Sequence, residues 1–220
     1  MEVKSVFLLL LVVVATSLAQ KKCCFPKEFE ALDGQVVGTI SAGKPVAVLE
    51  SIQFAFDYFN QRAGEFAFIQ DGAEVYMYQI IVDYKAQTEY IIQAHTQTCQ
   101  KIPLPAGTNM SHCVPDDATY ESSFYVGDNK MTADSFTYSL KQGVVAGNVI
   151  LSVSKGDCIP YSVTFFGQHQ GTPVLQVTGF VNYTSGIQDP ARYFTVPEYC
   201  MEQSFSQAPK MYNSFIHLFV

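Results

Sequence analysis

The sequence predicts an all-β protein laid out as an antiparallel meander. Three observations predict it: apolar residues alternate with period two in one short segment after another, turn residues separate the segments, and no stretch of helical period runs beyond about three turns.

The chain opens with Lys4, an unbroken apolar run from Val6 to Ala15 and the small-x-small triplet Ser17-Leu18-Ala19, the layout of a secretory signal. The run is shorter than the roughly 20 residues that a membrane-spanning helix needs. Residues 1–19 are therefore expected to be removed. Residues 20–220 are expected to form one secreted domain with no membrane span, since no Gly/Ser- or Pro-rich linker divides them.

In SIQFAFDYF, Ile52, Phe54, Phe56 and Tyr58 alternate with Gln53, Ala55 and Asp57, which places an aromatic row on one face of a strand. Similar alternation predicts strands from Glu65 to Ile69, Glu74 to Tyr84, Thr88 to Gln93, Thr119 to Val126, Ser135 to Leu140, Asn148 to Ser154, Tyr161 to Gly167 and Val174 to Thr184. Turns are expected at Ala63-Gly64, Asp71-Gly72, Gly127-Asp128-Asn129, Gln142-Gly143, Lys155-Gly156-Asp157 and Gln170-Gly171-Thr172-Pro173. A short helix is expected from Tyr199 to Gln207. The Glu74–Tyr84 strand is apolar on both faces: Tyr76, Tyr78, Ile80 and Val82 on one, Val75, Met77 and Ile81 on the other. Such a strand needs two coverings, either a second sheet layer or a curved sheet that wraps a cavity and is backed from behind. A packed sandwich core and a ligand cavity both satisfy the pattern.

Composition narrows the function classes. A net charge of −7, unchanged by removing residues 1–19 because Glu2 and Lys4 cancel, argues against nucleic acid and anionic membrane surfaces as partners. An even count of 6 cysteines in a secreted chain implies a disulfide framework of Cys23, Cys24, Cys99, Cys113, Cys158 and Cys200. Adjacent Cα atoms lie about 3.8 Å apart, closer than a relaxed disulfide spans, so Cys23 and Cys24 are not expected to bond each other. Spacing alone leaves about 15 pairings open.

Enzyme signatures are absent from the sequence: no G-x-S-x-G, H-E-x-x-H, phosphate loop or G-x-G-x-x-G occurs, so a hydrolase ranks well behind a binding protein. His95, His112, His169 and His217 have no ligand spacing, and no cofactor is expected. Asp116, Asp117, Asp128 and Asp134 are candidate oxygen ligands for calcium, although a solvated turn explains each group more simply. Asn109-Met110-Ser111 and Asn182-Tyr183-Thr184 are glycosylation sequons.

Against this background, FDYFNQR, VDYKAQTEYIIQ, CQKIPL, VPDDATYESSFYVG, KGDCIPYSV and GIQDPARYFTVPEYC follow one another from about Cys23 to Cys200. In that order they resemble the signatures of the ependymin and ependymin-related secreted glycoproteins. The resemblance implies a half-open barrel of curved antiparallel sheets, like that of bacterial lipoprotein carriers, with a hydrophobic pocket and a short C-terminal helix. It also implies a homodimer, and disulfides joining Cys23 or Cys24 to Cys158 and Cys99 to Cys200. The remaining N-terminal cysteine is then expected to pair with Cys113. The chain departs from the family in having no Trp.

Two functions are expected from the resemblance. The first is non-catalytic binding of a lipid or another long apolar molecule. Alternation places Phe54, Phe56, Tyr58, Tyr76, Tyr78, Tyr90, Ile92, Phe124, Phe136, Tyr138 and Val177 on the inward rows as candidate pocket lining. The alternative is a calcium-binding glycoprotein of the extracellular matrix, acting in cell adhesion.

Overall fold

The structure is a computed structural model that describes residues 22–71, 73–202 and 204. The expected signal at 1–19 lies outside them. Eleven strands, β1 (Glu28–Ser41), β2 (Lys44–Asp57), β3 (Arg62–Asp71), β4 (Glu74–Asp83), β5 (Thr88–Gln93), β6 (Thr98–Pro103), β7 (Thr119–Val126), β8 (Met131–Gln142), β9 (Val145–Ser154), β10 (Pro160–His169) and β11 (Thr172–Ser185), precede two short helices, α1 (Pro190–Phe194) and α2 (Glu198–Met201).

All strands join one antiparallel sheet in the order β6-β5-β4-β3-β2-β1-β11-β10-β9-β8-β7. The chain is thus two meanders zipped together at the centre by β1 and β11, with consecutive strands β6 and β7 at opposite edges. The segment between them, 104–118, must cross from one edge to the other. It does so over one face: Leu104, Met110, Val114 and Ala118 are buried in the same core cluster as Ile80 and Val82 of one wing and Phe136 and Leu151 of the other.

Thr108, in this crossover, measures how far the sheet curls. Its carbonyl accepts Gln87 Nε2 at 3.0 Å and its hydroxyl accepts Gln142 Nε2 at 2.8 Å. Gln87 directly precedes β5 and Gln142 ends β8, strands eight inter-strand steps apart, about 38 Å if the sheet were flat. The wings therefore fold toward each other and enclose the crossed face, leaving the sheet unclosed. Gly147 and Gly167 sit opposite each other on β9 and β10, and a Cβ on Gly167 would lie 2.3 Å from the Ala146 carbonyl oxygen. Only glycine fits that approach.

Disulfides fasten the ends to this curl. Cys23 pairs with Cys158 in the β9–β10 turn, Cys24 with Cys113 in the crossover, and Cys99 on β6 with Cys200 in α2. Residues 23–25 run alongside 112–114, with Val114 N donating to the Cys23 carbonyl at 2.9 Å and Phe25 N donating to that of His112. Successive side chains of an extended segment point to opposite sides, so the vicinal cysteines reach different partners. Closing loops of such length restricts the unfolded chain by roughly 4–5 kcal/mol each in the chain-entropy account.

The helices back the outer face of the β3–β6 wing. The Asp189 side chain caps α1 by accepting Arg192 N, and Pro190 opens the helix. Tyr193 and Phe194 then pack over Gly64, where a Cβ would lie 2.9 Å from the Tyr193 carbonyl oxygen. Ala63-Gly64 is therefore not the expected turn but the interior of β3, with glycine placed to let a helix approach. The helices cover Ile81 on the outer face of the two-faced β4, while Val75 and Met77 on that face stay exposed. The expected Tyr199–Gln207 helix is seen as Glu198–Met201, and residue 203 and those from 205 onward lie outside the described set.

β1 and β6 were not predicted, nor was the first half of β2. In β1 the inward positions are Phe29, Ala31, Asp33, Gln35 and Val37, and two polar residues in that row break the alternation that marks a strand.

Candidate functional site

Cross-strand pairing assigns every inward side chain to a row. At the deep end, Phe29, Phe56, Ala63, Val82, Glu89 and Ile102 lie side by side across β1 to β6. The next row is Ala31, Phe54, Glu65, Ile80, Ile91 and Gln100, then Asp33, Ile52, Ala67 and Tyr78, then Gln35, Glu50, Ile69 and Tyr76. The other wing contributes Phe136, Leu151 and Val163 in one row and Tyr138, Val149 and Phe165 in another.

The deep end is packed solid. Phe29 stacks on Phe56 at 5.2 Å between centroids and meets Phe54 at 5.8 Å and Tyr183 at 5.5 Å. Toward the other end of β3 and β4 burial relaxes: Ile69, Tyr76 and Tyr78 are inward-facing yet only half-buried, as are Tyr138, Leu140 and Val145 on the other wing, where Gln142 is tied through Thr108 to Gln87 at the deep end of β5. The inner face is a cup with an aromatic floor and an apolar mouth.

The candidate lining residues divide accordingly. Phe54 and Phe56 face inward and form the floor, Tyr76 and Tyr78 stand at the mouth, and on the other wing Phe136 is buried and Tyr138 half-buried. Tyr58 lies beyond the end of β2, its ring 4.1 Å from that of His112. Four expectations are corrected, because Tyr90, Ile92, Phe124 and Val177 face outward. Tyr90 and Ile92 pack with Ile81 and Cys200 under the helices. Val177 pairs with Val36 on the outer face and is 45% exposed. A register shift between Tyr120 and Ser122 turns Phe124 to the outer side, where it pairs with Ala133 and its ring meets Tyr161.

The calcium candidates do not gather. Asp116, Asp117 and Asp128 are exposed in turns, while Asp134 is buried and accepts a hydrogen bond from Ser123 Oγ. Among the described residues, the group with ligand atoms clustered tightly enough for a metal is Cys24, His112 and Cys113, whose two sulfurs already form a disulfide. Asn109 and Asn182 of the sequons are both exposed.

Sequence reasoning missed the polar residues inside the cup. Glu50, Asp33, Glu65 and Glu89 occupy successive rows and form a diagonal from the half-exposed mouth to the deep end. Burial first, and then the neighbouring charge of Glu50, push the Asp33 carboxyl up to about 8. Burial pushes Glu50 up to about 7 although Gln35 donates a hydrogen bond to it. Glu65 is held well above the usual carboxylate range by burial, then by Asp33, Glu50 and Glu89. Gln35 anchors the mouth end of the diagonal: its Nε2 donates to Glu50 at 2.7 Å, and its Oε1 accepts Gln176 Nε2 at 2.5 Å and Thr178 Oγ1 at 2.8 Å.

The missed signal lay in β3 and β5. In EFAFI the row Glu65, Ala67, Ile69 faces inward and Phe66, Phe68 outward, and in TEYIIQ the row Glu89, Ile91 faces inward and Tyr90, Ile92 outward. The more aromatic row of each strand lies under helices or on the outer surface, not in the cup.

The ependymin family model matches residues 73–200. The development-specific protein LVN1.2 of Lytechinus variegatus is 30% identical over 163 residues, 68% of this chain and 85% of that one. Ependymin-related protein 1 of Haliotis asinina is 29% identical over 202 residues, 89% of this chain and 96% of its own. Among solved structures, a LolA superfamily protein from Nitrosomonas europaea aligns at 11% identity and a TM-score of 0.36, over 79% of this chain and 92% of that one. Signatures in family order from Cys23 to Cys200, and a family match spanning β4 to α2, place this chain in the ependymin family.

Proposed function

We propose that this chain is a secreted, non-catalytic binding protein that takes a lipid or another long apolar molecule into the mouth of the cup. The observation that carries the reading is the inward apolar rim of Ile69, Tyr76 and Tyr78, which the protein's own side chains leave half-buried beyond a sealed floor. An acyl chain laid against that rim gains roughly 0.8 kcal/mol per methylene buried. About ten methylenes give several kcal/mol after the cost of association, enough for micromolar capture. Tyrosines suit such a rim, since the ring packs while the hydroxyl meets water or a head group.

The test is titration of delipidated protein with a fluorescent fatty-acid or lysolipid probe, with saturable binding at micromolar concentration expected. A probe whose emission neither shifts nor quenches removes the reading. The outer face supports a second element of it, the homodimer. Across β2, β1, β11 and β10 it presents Leu49, Val36, Val177, Leu175, Phe166 and Val181 to solvent, a continuous apolar surface that a second copy would cover. Among the described residues, the calcium and matrix alternative has no gathered set of carboxylate ligands to support it.

A further inference from the structure

Three acids of the diagonal, Asp33, Glu50 and Glu65, are buried without a neutralising positive charge. No basic side chain figures among the influences on Asp33, Glu50 or Glu65, while Arg62 is taken up by Asp57. Lys44, which shares the strand face of Glu50, is exposed at the hairpin tip roughly 20 Å further along β2. Burying carboxyls without a donor destabilises a fold.

Polar atoms beside the diagonal are left unmatched as well. Asp33 is 6% exposed and Gln176 is 2% exposed, yet Asp33 Oδ1 and Gln176 Oε1 meet no hydrogen-bond partner among the described residues. Gln176 reaches the diagonal through Gln35, which donates to Glu50. The hydroxyl of Tyr84, a residue 5% exposed, is equally unmatched and lies in the field of Glu89 and Glu65. Most of what is missing is donors and positive charge. The carboxylates do not converge as metal ligands do, because no three of them bring oxygens within 4.8 Å of one another. The orphaned acceptors are strung from mouth to interior, as donors on an elongated molecule would be.

We propose that the diagonal of Glu50, Asp33 and Glu65 is the head-group site of the cup, and that it selects long-chain amines, whose ammonium supplies the missing donors, over carboxylates of equal length. This rests on the carrier reading and names the chemistry of its ligand. Glu50, half-exposed beside Ile69 and Tyr76, receives the ammonium at the rim and Asp33 receives it one row deeper, while the alkyl chain lies on the tyrosine side. An ammonium arriving beside a neutral carboxyl ionises it, so one proton leaves for each carboxyl that takes up the charge. With Asp33 neutral up to about 8 and Glu50 up to about 7, binding near pH 6.5 releases protons, and amine affinity rises with pH through that window. Glu65, Glu89 and Tyr84 face the same interior; burial holds the Glu65 carboxyl well above the usual carboxylate range and raises the Tyr84 hydroxyl well above its own.

The experiment is calorimetric titration of delipidated, full-length mature protein with dodecylamine, dodecanoate and dodecanol at pH 6.5, below their micellar concentrations and in two buffers of different ionisation enthalpy. Dodecylamine is expected to bind at least about tenfold tighter than the other two, with proton release that the buffers reveal. Asp33→Asn and Glu50→Gln are each expected to abolish the preference, bringing dodecylamine down to the affinity of dodecanol for the same variant. The half-exposed Glu50 variant carries the test if the buried one does not fold. Equal affinity for all three overturns the proposal and leaves the carrier reading standing. A preference that survives both substitutions also overturns it, assigning the effect to overall negative charge. Binding of none of the three removes both readings.

Discussion

The two faces of the β3–β5 wing differ in a way that their sequences do not advertise. On the outer face, Ile81, Tyr90 and Ile92 are sealed beneath α2 and Cys200, and Ala55 and Gly64 beneath Tyr193 and Phe194. On the inner face of the same strands, Glu65 and Glu89 are buried just as deeply. The outer face is finished by the protein's own side chains and a disulfide, whereas on the inner face Asp33 Oδ1 and Gln176 Oε1 meet no hydrogen-bond partner among the described residues. An apolar row therefore marks where the chain covers itself. On the proposed reading, a buried polar row marks where the ligand is received.

The largest effect expected from breaking this contrast is on the outer side. Replacing Cys99 and Cys200 by alanine frees α2 from β6 and removes the closure of a long loop, with an expected loss of about 4 kcal/mol in denaturant unfolding. If the helices already held the face unaided, the loss would stay below about 1 kcal/mol.

Next in size is the inner side, where the sign depends on pH. The Asp33 carboxyl ionises near its ordinary 3.8 in the unfolded chain but near 8 in the folded one, so between these values the folded state binds the extra proton. Stability is then fully present below about pH 4 and declines as pH rises toward 8. Asp33→Asn is expected to match the parent at pH 4 and to exceed it at pH 8 by on the order of 3 kcal/mol, read from thermal or urea unfolding at both pH values. An asparagine variant less stable at pH 8 would mean that Asp33 has a protein partner after all.

The smallest effect on stability is expected on the exposed outer surface away from the helices. Val177→Asp should change unfolding by no more than about 0.5 kcal/mol while converting the proposed dimer to monomer in light scattering. A monomeric parent protein would withdraw the dimer from the outset.

Much of the fold was legible in period-two alternation and turn residues, because half-buried strands impose that pattern locally. β1 was not legible, since Asp33 and Gln35 occupy two of its inward positions. β6 is short and carries Gln100 among its inward residues, which likewise hides it. In the candidate site, the tyrosines of β4 and Tyr138 were legible, since their rows alternate cleanly. Tyr90, Ile92 and Val177 were placed on the wrong face because alternation gives two faces without saying which is inside. Phe124 was misplaced because a single extra residue reverses the faces beyond it.

The sequence by itself determined that the chain is a disulfide-bearing antiparallel β-protein with a surplus of apolar rows, because alternation, turn chemistry and cysteine count are local properties. Only the tertiary structure decided which row is interior. That choice depends on where a distant crossover and two C-terminal helices come to lie, and the crossover at 104–118 and the helices at 190–201 settle it from far along the chain. The same packing turned four scattered acids into one diagonal, a juxtaposition created by strand order and register rather than by spacing.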